Sequence, residues 1–307
     1  MTSFAISAVS LRYIISSLQG LIAYPTKIER MKSIVKWLPL LLVFMYAAHP
    51  ARGQYLETGL TGGGMLYTGD LNPSPSPRLT RPAFGLLMRY NFTPRWVWKN
   101  SLLSGRVRGE DLNGATLSGR SLYFESRITE LSSQIEFNFL NYYTGSRRES
   151  FSPYLFAGLS LFMFNPQAQF NGQWIDLQPL RTEGQDTQMY PDRKPYSRIS
   201  IALPFGMGLK LSVNKKMTVG MEAGHRKTLS DYLDDVSTTY YLQGNEIDPA
   251  LPEELLSDPL RYHSPGMQRG NAANHDWYAY AGVFITYKIN LYKTPPCNDF
   301  KNVGRFN

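Results

Sequence analysis

A chain of 307 residues, 43% of them hydrophobic, with a formal charge of +8 and one cysteine, is long enough for one large domain and excludes an internal disulfide framework or a cysteine-rich metal site. The basic balance is concentrated at the start, where Arg12, Lys27, Arg30, Lys32, Lys36 and Arg52 stand against Glu29. The 254 residues after Gly53 carry 26 basic and 23 acidic side chains, a net of +3 that is no nucleic-acid signature.

The first predicted element is a leader. From Met31 the chain reads Met-Lys-Ser-Ile-Val-Lys, then an apolar run from Trp37 to Ala48, then Ala51-Arg52-Gly53 before Gln54. A charged start, an apolar stretch shorter than the roughly 20 residues of a spanning helix, and small residues where a signal peptidase reads describe a secretory signal. Translation is expected to begin at Met31 and cleavage to follow Gly53, giving a leader at 1–53, a folded domain at 54–290 and a tail at 291–307. No cysteine takes the first mature position, so the chain is not expected to be a lipoprotein.

Eight strands are predicted next, at about 55–68, 83–92, 95–106, 129–140, 153–164, 198–213, 216–227 and 276–290. The sixth is the clearest. Ile199, Ile201, Leu203, Phe205, Met207, Leu209, Leu211 and Val213 alternate with Ser200, Ala202, Pro204, Gly206, Gly208, Lys210 and Ser212, the period of a strand with one oily face. In the fourth, Leu131, Ile135, Phe137 and Phe139 alternate with Glu130, Ser132, Gln134, Glu136 and Asn138. The second and third put Leu87 and Leu103 on the polar face, while Trp96 and Trp98 suit an interfacial girdle. Each segment is near or above the roughly 9–11 residues that cross a bilayer as a tilted strand. No helix is predicted after the leader.

Connections alternate in length. Those at 69–82, 107–128, 165–197 and 228–275 are long, those around Thr93-Pro94 and Asn214-Lys215 are tight, and 141–152 is moderate. Short periplasmic turns and long outside loops mark outer-membrane barrels, so the fold class expected is an all-β, eight-stranded antiparallel transmembrane barrel in the outer membrane with both termini in the periplasm. A soluble lipocalin-like barrel would turn the same oily faces inward. Against it, the polar faces are rich in Gly, Ser and Ala and carry Glu57, Arg89, Lys99, Glu136, Lys210, Glu222, Arg226 and Lys288. Buried charges need partners, so these eight are expected to form an interior network of ion pairs in a barrel too narrow to conduct.

Constellations for chemistry are weak. His225, with Glu222 and Ser230 nearby, is the one candidate for a lipid-modifying enzyme of the barrel type, but no sharp motif joins them. Asp231, Tyr232, Asp234, Asp235 and Tyr240 open the longest loop; they offer oxygen ligands but lack the glycine and closing glutamate of a Ca²⁺ loop, and read as a hydrogen-bonded loop base. No catalytic residue, metal or cofactor is expected. Asn72-Pro-Ser-Pro-Ser-Pro77 is a stiff loop segment. The tail from Lys293, with Cys297, Phe300 and Phe306, cannot continue a sheet past its prolines and is the expected periplasmic contact.

These residues resemble a known family. Gly62-Gly-Gly64-Met-Leu-Tyr67-Thr-Gly69-Asp70-Leu-Asn72, Tyr154-Leu-Phe-Ala-Gly158, Pro204-Phe-Gly206-Met-Gly-Leu-Lys210, the run from Asp231 to Tyr240, Arg269-Gly-Asn271 and Asp276-Trp-Tyr278 with Thr286-Tyr-Lys288 are similar to PorG-like (DUF6089-type) outer-membrane barrels. The resemblance implies a component of the type IX secretion system of Bacteroidota, which in many members supports gliding. It would contact a periplasmic ring of PorK-like lipoprotein and PorN-like protein while a larger barrel conducts cargo. A general OmpA-like structural or adhesion barrel is the other reading.

Overall fold

The computed structural model describes residues 55–73, 76–111 and 119–290. The predicted leader and signal peptide and the tail with Cys297, Phe300 and Phe306 lie outside the described residues. Nine strands form: β1 Tyr55–Thr68, β2 Arg81–Asn91, β3 Trp96–Glu110, β4 Tyr123–Asn138, β5 Phe151–Phe170, β6 Gln173–Asp176, β7 Ile199–Ser212, β8 Met217–Thr228 and β9 Trp277–Asn290. All pairings are antiparallel, in the order β4-β3-β2-β1-β9-β8-β7-β5, and β4 pairs β5 to close the ring. Eight strands therefore make a barrel without free edges; β6 only extends β5 as a hairpin.

Alternation sets the two faces. Every barrel strand presents a large apolar residue to the outside: Leu60, Phe84, Leu102, Leu131, Leu159, Met207, Met221 and Val283. Phe84 is 68% exposed and Met207 63%, in a belt that runs round the whole barrel. A continuous apolar exterior of this kind is suited to hydrocarbon, where a closed barrel satisfies every backbone donor and acceptor internally. The soluble alternative, with its oily faces inward, is not the arrangement adopted.

Strands β1, β7, β8 and β9 lie within two residues of their predicted limits, but β4 begins at Tyr123 and β5 continues to Phe170. In these extensions the pattern inverts: Phe124 and Ala168 point inward and are buried, whereas Tyr123, Glu125 and Arg127 face outward. Asn171 and Gly172, both at positive φ, turn the hairpin into β6, as a two-residue turn requires. One helical turn, Pro252–Leu255, interrupts the last long loop where no helix was expected.

Glycine makes room inside. A Cβ at Gly208 would overlap the Tyr154 ring, and one at Gly220 the Phe284 ring, so the small residues of β7 and β8 are the space that interior aromatics occupy.

Candidate functional site: a filled barrel interior closed at both ends

Inward-facing charges meet in the short-turn half of the barrel because β2, β3, β4, β7 and β8 each place one there. Arg89 donates from Nε to Glu136 Oε1 at 2.9 Å, Lys210 donates to Glu136 Oε2 at 3.1 Å, and Lys99 donates to Glu222 Oε2 at 2.7 Å. Arg89 also lies 3.6 Å from Glu222, and Lys99 lies 3.7 Å from Glu136. Aromatic rings complete the coordination. Tyr154 donates to Glu222 at 2.9 Å, the Arg89 guanidinium lies 4.0 Å from the Phe284 ring centre, and Lys99 lies 4.3 Å from that of Phe156.

Three members of the predicted set stand apart from this centre. Arg226 pairs instead with Glu130 at 3.3 Å, a carboxylate that also accepts the Tyr278 hydroxyl at 2.6 Å. Glu57 has no ion pair among the described residues: it accepts from the hydroxyls of Thr144, Thr218 and Thr286. Lys288, half-buried, donates to the Thr144 carbonyl at 2.9 Å rather than to a carboxylate. Expecting one network was thus too simple: Glu57, although opposite Arg89 and Lys288 in the register, is taken up by threonine hydroxyls, and the register sets Arg226 toward the long-loop end. The fully enclosed cations Arg89, Lys99, Lys210 and Arg226 are matched by Glu57, Glu130, Glu136 and Glu222, so the lining is neutral.

Both ends are closed. At the short-turn end the β4–β5 connection folds into the mouth: Tyr142 is buried with its hydroxyl 2.6 Å from Thr218 Oγ1, and Thr144 is buried against Glu57. At the other end Leu71, Leu122, Leu177, Leu233, Val236 and Leu256 from the connections pack on Met65, Tyr67, Phe124, Phe162 and Tyr278 from the strands. Apolar packing of the connections onto barrel side chains covers the interior at this end.

The Asp231–Tyr240 segment pins this cover. Tyr67 reaches Asp234 Oδ2 at 2.6 Å and Asp276 Oδ1 at 2.8 Å. A phenol has one hydrogen, so it donates to one carboxylate while the other carboxyl supplies a proton to the phenolic oxygen. Burial accordingly holds both aspartates well above the usual carboxylate range. Asp235 accepts from Tyr196 at 2.6 Å and from Thr182, and burial pushes it up to about 6 despite Arg269. Tyr232 stacks on Tyr196 at 4.6 Å, and Tyr240 stacks on His263 at 4.1 Å. Among the described residues no three His, Cys, Asp or Glu side chains converge as metal ligands.

Sequence reasoning missed Glu183. It is fully buried and accepts from Ser237 N at 2.8 Å, Thr238 N at 3.0 Å, Thr238 Oγ1 at 2.6 Å and Arg269 Nη1 at 3.1 Å. Nothing in Leu180-Arg-Thr-Glu-Gly184 marks it; only the matching cation in Arg269-Gly-Asn271 offered a signal. The enzyme candidates are not assembled: Glu222 points inward to Lys99, whereas His225 faces outward between Phe205 and Trp277. His275 is exposed, and His263 Nδ1 lies 2.9 Å from Asp258 Oδ1 in the loops.

Closure and the exposed apolar belt define the class, a transmembrane β-barrel of outer-membrane type. Residues 35–298 match the family described as a domain of unknown function, DUF6089, and the chain belongs to that family. No curated protein matches it. Among solved structures it is similar to the attachment invasion locus protein Ail of Yersinia pestis (11% identity, 77% of this chain and 97% of that chain, TM-score 0.36). It is similar also to the N-terminal β-barrel domain of Pseudomonas aeruginosa OprF (11%, 77% and 98%, 0.32) and to Neisserial surface protein A (9%, 77% and 97%, 0.37). At such scores the barrel assignment rests on the strand pairing itself.

Proposed function

We propose that this chain is a non-enzymatic anchor of a type IX, gliding-associated protein secretion machine, set in the outer membrane with both termini in the periplasm and holding a periplasmic ring of PorK-like lipoprotein and PorN-like protein. The observation that carries the reading is the filled, neutral and doubly closed interior: a barrel that cannot pass a solute acts through its ends. The motifs that resemble PorG-like barrels, above all Asp231-Tyr-Leu-Asp-Asp-Val236, supply the choice of machine. Supporting contact at the short-turn end are Arg147, Arg148, Lys215 and Lys216, all exposed on two turns that touch where Gly145 N donates to Ser212 Oγ at 2.8 Å.

The test is a pull-down of the ring proteins from detergent-solubilised membranes, with the full chain and with residues 293–307 deleted, alongside secretion assays in a gene deletion. We expect cargo to accumulate in the periplasm of the deletion strain and the ring to be lost from the truncated barrel. Undiminished secretion without the gene would favour the general structural or adhesion barrel.

A further inference from the structure

Just beyond the apolar belt, at the long-loop end, the strand register sets two arginines side by side. Arg106 of β3 and Arg127 of β4 are cross-strand partners, both exposed on the outward face. Like charges placed directly opposite each other in a sheet destabilise it unless something lies between them. The row continues: Arg127 is opposite Asn165 of β5, whose Oδ1 accepts from Arg198 at 2.8 Å.

Carboxylates answer only the flanks. Glu125 holds Arg106 at 2.7 Å and lies 3.9 Å from Arg81, while Asp176 takes Arg198 at 3.2 Å. Arg127, in the middle, has no carboxylate within 4 Å among the described residues, and the sequence at 112–118, Leu-Asn-Gly-Ala-Thr-Leu-Ser, contains no acid. One guanidinium in the centre of the row therefore lacks an anion.

Height decides what that anion is. The outward rows, read along β3 and β4, are Leu102 opposite Leu131, then Ser104 opposite Thr129, then Arg106 opposite Arg127. Met163 of β5, 53% exposed, is level with Thr129. The arginines thus sit one outward step, roughly 7 Å along a tilted strand, beyond the last apolar side chain. That is the depth of lipid phosphates, since the headgroup layer adds only about 5–7 Å to each side of the hydrocarbon. A guanidinium offers a planar fork that fits phosphate.

We propose that the row Arg106–Arg127–Arg198 docks the phosphate of an outer-leaflet glycolipid of the lipid A kind, with Arg127 as the central contact and the exposed Leu102, Leu131 and Met163 receiving the acyl chains. This rests on the reading that the long loops face outside the cell. Labelling of a Met189→Cys variant in intact cells by a membrane-impermeant maleimide tests that orientation separately.

Native mass spectrometry of the detergent-solubilised full chain, titrated with bis-phosphorylated lipid A, dephosphorylated lipid A and phosphatidylglycerol, tests the site. Lipid A should bind preferentially, and the Arg106→Gln/Arg127→Gln pair should weaken it about tenfold, with Arg127→Lys retaining most of the affinity because the charge remains. Arg95→Gln, at the opposite rim, should leave binding unchanged, and heat-modifiable gel migration confirms that each variant is folded. Equal binding of dephosphorylated lipid A or phosphatidylglycerol, or an undiminished complex in the double variant, would overturn the proposal. None of these arms contains a ring component, so a negative result leaves the anchor reading standing.

Discussion

Asp231 illustrates how one carboxyl couples the loops to acidity. It is 7% exposed, and burial pushes it up to about 7 against the opposing pull of Ser237, with Asp70 and Glu183 near enough to repel its charge. The ordinary value is 3.8, so between these two the folded loop keeps a proton that the unfolded chain releases. Stability is therefore highest in acid, declines as pH rises toward 7 and levels off beyond it. Asp234 and Asp276, also raised, act with the same sign. Hydrogen exchange, corrected for intrinsic rates, should show the amides of residues 229–276 better protected at pH 5 than at pH 8. Asp231→Asn should flatten that dependence and raise protection at pH 8, by on the order of 2 kcal/mol. A variant as pH-sensitive as the parent would remove Asp231 from this role.

At the scale of elements the β4–β5 turn is a plug held by backbone geometry. Gly145 has φ +95, and a Cβ there would press on the Lys215 carbonyl of the neighbouring turn, 2.7 Å away. Gly145→Ala is thus expected to cost about 1–2 kcal/mol by conformation and crowding together, read as a lower urea midpoint for the refolded barrel; an unchanged midpoint would mean that the turn is not seated in the mouth. Elements also show which features are legible in sequence. Where hydrocarbon lies against a strand, alternation is enforced and β7 or β9 can be read residue by residue. Above the belt the constraint reverses, with Phe124 and Ala168 facing inward under the loops and Glu125 and Arg127 outward, so β4 and β5 look like loop. The interior charges were legible as members of the polar faces that alternation marks out, but their pairing was not, because Arg226 meets Glu130 through a register that only closure sets. Glu183 had no local signature, since its partners, two backbone amides, a threonine hydroxyl and the Arg269 guanidinium, lie 54 to 86 residues away.

For the whole molecule, the neutral lining and the two covers together predict an electrically silent barrel. Reconstituted in planar bilayers, the purified chain should give no steady single-channel conductance from pH 5 to 8. Reproducible openings would show that the covers move and that the filled interior is not permanent. This distinguishes the protein from a porin of similar appearance in the membrane plane.

The contacts among the interior charges also constrain biogenesis. Lys99 and Glu222, 123 residues apart, meet only when strands from both halves of the chain have come round to face each other. A partly curled sheet entering lipid would drag Arg89, Lys99 and Lys210 through oil without their counterions, at a penalty of several kcal/mol apiece. Insertion and cylinder closure must then proceed in concert, with the seam between the first and last strands, β1 and β9, zipped while the charges are still sheltered, and a mutation that unbalances the lining should be felt first as failed assembly.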